Sequence, residues 1–161
     1  MMNTMTTTAD LCDAHDDARV CALNFSSYGG RRAFEGRVRT IRCFEDFGLL
    51  RRLVEEPGEG CVLVVDGGGS VARAIFGATM AGIAVDKGWS GIVFNGAIRD
   101  SAELIALDLG VKALGLHPQR GTKVGTGEVD VPVQMGGVTI TPGEWLVADE
   151  DGVIVLPKRP L

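Results

Sequence analysis

Two short apolar runs constrain the fold most. Cys61-Val62-Leu63-Val64-Val65 ends in Asp66-Gly67-Gly68-Gly69, and Gly91-Ile92-Val93-Phe94 ends in Asn95-Gly96-Ala97-Ile98-Arg99-Asp100. A run that is apolar at every position, bounded by turn residues, is a strand covered on both faces. Between the two, residues 72–84 are small and apolar and read as a helix interrupted by Gly77 and Gly82, one of which marks a break. After them, residues 101–109 read as a helix ending at Gly110. Strand, helix, strand, charged loop and helix in succession define an α/β core.

Around this core the pattern changes. Residues 1–8 are expected to form a flexible start, with Thr8 capping a short helix over 9–14 and one domain spanning 9–161. Arg19 to Leu23 begins the ordered body, and Tyr28-Gly29-Gly30-Arg31 is a turn. Residues 34–43 alternate apolar and polar side chains, as a strand with one wet face does. Phe47, Leu49, Leu50, Leu53 and Val54 make a helical stripe over 46–55, closed by Pro57-Gly58. The tail holds four short strand patterns, 129–133, 138–141, 145–148 and 153–156, separated by Gly136-Gly137, Pro142-Gly143 and Asp149-Glu150-Asp151-Gly152. A β-rich second half therefore packs on an α/β first half.

The chain has 161 residues, 45% of them hydrophobic, enough for one domain with a sizeable core. Its net charge of −5 and 6% aromatic content provide neither a basic tract nor a stacking platform, so no direct nucleic-acid binding is expected. No run approaches the roughly 20 apolar residues of a membrane span. The start has neither the basic region nor the apolar core of a secretory signal. Cys12, Cys21, Cys43 and Cys61 are widely spaced and form no zinc pattern; reduced thiols and a cytoplasmic location fit them.

Chemistry concentrates at Arg99, Asp100 and Glu103. Asp100 offers a hard oxygen ligand for Mg²⁺ or Mn²⁺, and Glu103, three residues on, is expected to face back toward the same loop. Arg99 offers a planar donor fork for a carboxylate. The plain alternative is a surface arginine, an N-cap aspartate and a first-turn glutamate. Gly77, Ala78, Thr79 and Met80 form a candidate anion loop whose backbone N–H groups would bind substrate; the alternative is a glycine packed tightly inside a helix. Gly67-Gly68-Gly69 also suits close approach to a ligand but lacks the dinucleotide spacing. No methyl-donor signature is present. His15 and His117 have no histidine neighbours in sequence, Lys87 and Lys112 sit in no clearly buried site, and Trp89 and Trp145 read as core or subunit anchors.

The ordered set Val64-Val65-Asp66-Gly67-Gly68-Gly69-Ser70, Gly88-Trp89, Asn95 to Asp100, Asp108-Leu109-Gly110-Val111, Gly136-Gly137-Val138 and Asp149 to Val153 resembles the RraA-like family. That family includes regulators of ribonuclease activity and class II 4-hydroxy-4-methyl-2-oxoglutarate aldolases. The resemblance implies a single-domain α/β/β sandwich of the swivelling-domain type, assembled as a homotrimer with sites near subunit interfaces. It implies a divalent metal cation held by Asp100 and Glu103, substrate bound by Arg99 and by Gly77 to Met80, and pyruvate-enolate chemistry on a small 2-oxo acid, including oxaloacetate decarboxylation. Aldolase-like members carry Arg-Asp followed after two residues by Glu or Asp, as in Arg99-Asp100-Ser101-Ala102-Glu103. Ala78 and Thr79 depart from the more polar residues often found in the anion loop. The other implied role is a non-catalytic regulator that binds ribonuclease E or an RNA helicase.

Overall fold

The computed structural model describes residues 5–161. Helix α1 (Thr8–Ala14) is capped by Thr7, whose side chain accepts from the Asp10 N–H at 3.1 Å. Thr8 turns inward instead, donating from its N–H and hydroxyl to the Asp149 carboxylate at 2.8 and 2.7 Å. Of the expected flexible start, residues 1–4 lie outside the described residues. Two short strands follow, β1 (Arg19–Val20) and β2 (Ser26–Ser27), then the long strand β3 (Phe34–Arg42) and helix α2 (Gly48–Leu53). Next come β4 (Val62–Asp66), α3 (Ala78–Asp86), β5 (Gly91–Asn95), β6 (Ala97–Ile98), α4 (Ser101–Leu104), β7 (Gly110–Ala113) and β8 (Gly115–Leu116). The tail supplies β9 (Glu128–Val129), β10 (Val133–Met135), β11 (Val138–Ile140), β12 (Trp145–Asp149) and β13 (Gly152–Leu156).

The main sheet runs β1-β13-β12-β3-β4-β5-β7-β2, with β9 added beside β3. Its centre, β3-β4-β5-β7, is parallel, and the tail strands join antiparallel, so the sheet is mixed and curls. Strand alternation divides the core. Leu63 and Val65 of β4, Ile92 and Phe94 of β5 and Val111 of β7 face Leu50, Leu53, Met80 and Ala84 of the helices. Val62, Val64 and Val93 face the opposite way, onto Phe34, Val133, Ile140, Leu146 and Val155. Helices, central sheet and β layer thus form the α/β/β arrangement, and each fully buried aliphatic side chain contributes about 1.5–3 kcal/mol. Among the described residues no helix is long and apolar enough to cross a membrane.

Three local expectations change. The helix expected over 72–84 begins only at Ala78, with Gly77 as its N-cap. Upstream, the Ile75 N–H donates to Ala97 and the Arg99 N–H to Phe76, so this stretch is held extended beside β6. The helix expected over 101–109 is the single turn α4: past it the Ala106 and Leu107 N–H groups donate only three residues back, to Glu103 and Leu104, and Leu109 donates to Leu107, while the Leu107 and Leu109 carbonyls accept from Gly30 and Arg31. Gly110 accordingly opens a strand. It pairs in register with Gly91, and a Cβ on either would lie 2.1 or 2.3 Å from the Phe34 ring. The tail pattern over 129–133 splits at Asp130, which adopts a left-handed backbone (φ 56°) between β9 and β10.

Candidate active site

Strands β4 and β5 end side by side, and their exit loops take different roles. The Asp66 carboxylate accepts from Gly68 N–H at 3.0 Å and from the Asn95 amide at 3.1 Å. Gly67 and Gly69 both donate to the Asn95 carbonyl at 3.1 Å. The triple glycine is therefore closed on its neighbour and does not line the cleft described next.

Beyond β6 the chain turns at Asp100, whose left-handed backbone (φ 64°, ψ 38°) is uncommon outside glycine and best tolerated by Asp and Asn. Asp100 occupies the N-cap position of α4, yet its carboxylate makes no cap bond there. It reaches across to α3, where Oδ2 accepts from the Ala78 N–H at 2.9 Å. A Cβ on Gly77 would lie 2.5 Å from that oxygen and 3.3 Å from Arg99 Cγ, so the position needs glycine for this close approach. The α3 start and the Arg99-Asp100 turn are thus locked together in one junction.

This junction forms one wall of a cleft of about 320 Å³, lined there by Gly77, Thr79, Met80, Arg99 and Asp100. The Ala78 N–H is occupied by Asp100, whereas helix geometry gives the Thr79 and Met80 N–H groups no intrahelical acceptor. Arg99 donates to the Pro118 carbonyl at 3.2 Å, which fixes its stem over the cleft. Glu103 is exposed on the first turn of α4, and its N–H donates to the Asp100 carbonyl at 3.0 Å; its side chain is not part of the cleft wall.

A second segment of the cleft wall carries residues that sequence reasoning missed as a site: Phe47 and Arg51 near and on α2, and Arg120 and Lys123 from the loop after β8. Four cations thus share a cleft with one carboxylate, in a protein of net charge −5. Asp46 builds this wall. It is buried and accepts from the Thr122 hydroxyl at 2.6 Å and from the N–H groups of Val124, Gly125 and Gly48 at 2.8, 2.9 and 3.0 Å. Burial alone would raise its pKa; these hydrogen bonds outweigh it and hold the carboxyl below its ordinary value. No local motif announces Arg120 or Lys123, because the sequence places them far from Arg99 and α2.

Other candidates fall elsewhere. Burial pushes the Cys43 thiol up to about 12, with Asp46 and Asp66 adding to the shift, so it is no nucleophile. Lys112 is buried after all, its ammonium donating to the Asp149 carbonyl at 2.6 Å, with its pKa lowered by desolvation. Its β7 neighbours Val111 and Ala113 face the helices, so by alternation Lys112 serves the opposite face of the sheet. His117 binds the nearby Gln119 backbone.

Among the described residues no group of three or more His, Cys, Asp or Glu side chains is arranged around a metal position. A small hard cation that keeps most of its waters still fits one carboxylate, and Asp100 engages the protein through Oδ2 alone among the described residues.

A curled α/β/β sandwich thus carries a cationic cleft at the carboxyl ends of its parallel strands. The chain belongs to the RraA-like family (Aldolase/RraA), whose model matches residues 8–155. It is 48% identical over 153 residues to a 4-hydroxy-4-methyl-2-oxoglutarate aldolase of Thermus thermophilus, covering 95% of this chain and 93% of that one. A putative aldolase of the same name from Alkalilimnicola ehrlichii is 51% identical over 149 residues, covering 92% of each chain. Among solved structures, the RNA-processing inhibitor RraA from Thermus thermophilus superposes with a TM-score of 0.95 at 46% identity, covering 98% and 96% of the two chains. A protein described as S-adenosylmethionine:2-dimethylmenaquinone methyltransferase from Geobacillus kaustophilus superposes at 0.94, also at 46% identity, covering 96% of each. Relatives that are 46–51% identical to this chain thus carry three different functional names.

Proposed function

We propose that the cleft is the active site of a divalent-metal-dependent class II lyase that cleaves 4-hydroxy-4-methyl-2-oxoglutarate to pyruvate and also decarboxylates oxaloacetate. The observation that carries this reading is the Asp100–Ala78 junction, which sets a carboxylate and the Arg99 fork at the start of α3 within one cationic cleft. The 48% identity to a named aldolase supports the same choice.

Asp100, with Glu103 nearby on α4, would hold Mg²⁺ or Mn²⁺. Such an ion supplies positive charge beside the substrate's 2-oxo oxygen. Arg99 binds the adjoining carboxylate and stabilises the negative charge that develops as the carbon–carbon bond breaks. The Thr79 and Met80 N–H groups donate to carboxylate oxygens at the α3 N-terminus. Retro-aldol cleavage of the six-carbon diacid releases pyruvate and a pyruvate enolate; loss of CO₂ from oxaloacetate leaves the same enolate, which is then protonated. The reading includes a homotrimer and a reducing, cytoplasmic setting, the latter supported by the free, separately buried Cys21, Cys43 and Cys61.

The test is pyruvate formation from oxaloacetate by the purified protein, above the rate of Mg²⁺ or Mn²⁺ alone. Asp100→Ala is expected to lower chelator-sensitive turnover at least about 100-fold. Full turnover in that variant removes the metal role from Asp100. The likeness to an RNA-processing inhibitor favours a second reading, a regulator that binds a ribonuclease. That role predicts saturable binding to the ribonuclease that survives Asp100→Ala, with no pyruvate formed.

A further inference from the structure

The lyase reading uses Arg99, Asp100 and the start of α3, and leaves a second segment of the cleft wall without a role. Arg51, Arg120 and Lys123 stand there. Arg51 pairs with Glu55 on its own helix. Among the described residues no carboxylate lies within ion-pair distance of Arg120 or Lys123. Cations gathered in one cleft repel one another, an arrangement that an anion between them relieves.

Both residues are held in place rather than strewn on a surface. The Ala74 N–H donates to Gln119 at 2.8 Å and the Gly121 N–H to Ala74 at 2.9 Å, clamping the backbone on either side of Arg120. Its guanidinium lies 5.8 Å from the Phe47 ring centroid, a cation–π contact that props the fork from below. The Thr122 hydroxyl and the Val124 N–H, flanking Lys123, both donate to buried Asp46. A Cβ on Gly121 would lie 2.1 Å from the Glu45 carbonyl, so the loop rests directly on the segment that leads into α2.

We infer that Arg120 and Lys123, with Arg51 beside them, bind a second carboxylate of the substrate, the one remote from the 2-oxo group, and so select 2-oxo diacids over 2-oxo monoacids. This rests on the lyase reading for which end of the substrate meets Arg99 and Asp100. One guanidinium fork matches one carboxylate. The carboxylate beside the 2-oxo group is already served by Arg99 and the α3 N–H groups, so the remaining cations have a different anionic group to meet.

The subsite also separates the two reactions. In the retro-aldol step the remote carboxylate stays an anion in the product, and its cations bind it throughout. In decarboxylation that carboxylate leaves as neutral CO₂, its electron pair passing into the enolate, so cations that hold it favour the ground state over the transition state.

The first experiment compares binding of 2-oxoglutarate and 2-oxovalerate, five-carbon 2-oxo acids that differ in the remote carboxylate, by calorimetry with Mg²⁺ present. The wild-type protein is expected to prefer the diacid by about 10- to 100-fold. Arg120→Ala and Lys123→Ala each shrink that ratio through the diacid alone. Both side chains are exposed, so truncation removes no core, and circular dichroism checks the fold. With oxaloacetate, Arg120→Ala is expected to raise KM about tenfold while kcat holds or rises. Equal affinity for the two acids in the wild type, an equal loss for both in the variants, or a fall in kcat at constant KM overturns the subsite. Diacid preference without turnover in the wild type leaves the subsite standing and removes the lyase reading instead.

Discussion

Asp46 touches no substrate in this scheme, yet it decides where Lys123 stands. Four hydrogen bonds converge on its carboxylate, from Thr122, Val124, Gly125 and Gly48. Asp46→Ala leaves those donors to find water in a close-packed corner and is expected to cost about 2–4 kcal/mol, read from urea unfolding. The pH dependence follows from the depressed pKa. Unfolded, the carboxyl titrates near its ordinary 3.8; folded, it titrates lower. The unfolded chain therefore binds the proton first, and Asp46's contribution is present in full above that value and lost as pH falls through the folded pKa. The stability gap between the wild type and Asp46→Asn, read from urea unfolding at a series of pH values, should be full at neutral pH and narrow only as the pH falls below 3.8. At this scale the sequence was legible where chemistry is local. Arg99 and Asp100 are adjacent and follow a strand, and both reach the cleft. Arg51 is separated in sequence from Arg120 and Lys123 by strands β4 to β8, and only the fold brings it beside them. Glu103 has the right spacing and sits on the exposed first turn of α4, three residues after Asp100 and outside the cleft wall.

The meeting of α3 with the turn before α4 shows how elements share one constraint. Gly77→Ala pushes a methyl group to within 2.5 Å of Asp100 Oδ2 and must break its bond to Ala78. Displacing a substrate-positioning group by about 1 Å can cost 100-fold in rate, so turnover is expected to fall by about that factor while the protein stays folded. Steady-state kinetics beside a thermal melt checks both halves, and unchanged turnover would show that Asp100 can leave the junction freely. The central strands β4 and β5 could be read directly, since continuous apolar runs have few other uses. Strand β7 could not. Lys112 interrupts its apolar character, and Gly110 mimics a helix stop because it must be small for the Phe34 ring rather than for a left-handed turn. The early end of α4 was also hidden, since the segment after it is tied to Gly30 and Arg31, far upstream, whose N–H groups donate to the Leu107 and Leu109 carbonyls.

Across the whole molecule, three exposed apolar side chains surround the loop after β4. Phe44 is 62% exposed and touches the Gly68 position, Val71 lies against Gly115, and Leu116 follows. If the proposed homotrimer forms through this face, Phe44→Glu places a charge in its apolar centre and is expected to shift the sedimentation coefficient from trimer toward monomer. A wild-type protein that sediments as a monomer removes the trimer from the proposal. The tail was legible as strands, but not their partners: turn residues show where a chain reverses, whereas pairing is settled by which edge remains open. That edge is on β3. Its first half lies against β12, with Arg37 opposite Trp145, and its second half against β9, with Ile41 opposite Val129. On the ribosome, then, β3 emerges ahead of β9 and β12, and the border that they cover is bare. It must stay so until the tail strands have been made, since no earlier segment supplies the missing neighbour. Until then the nascent protein offers β3 to any strand that comes by, and only β9 and β12, made well after it, can close it.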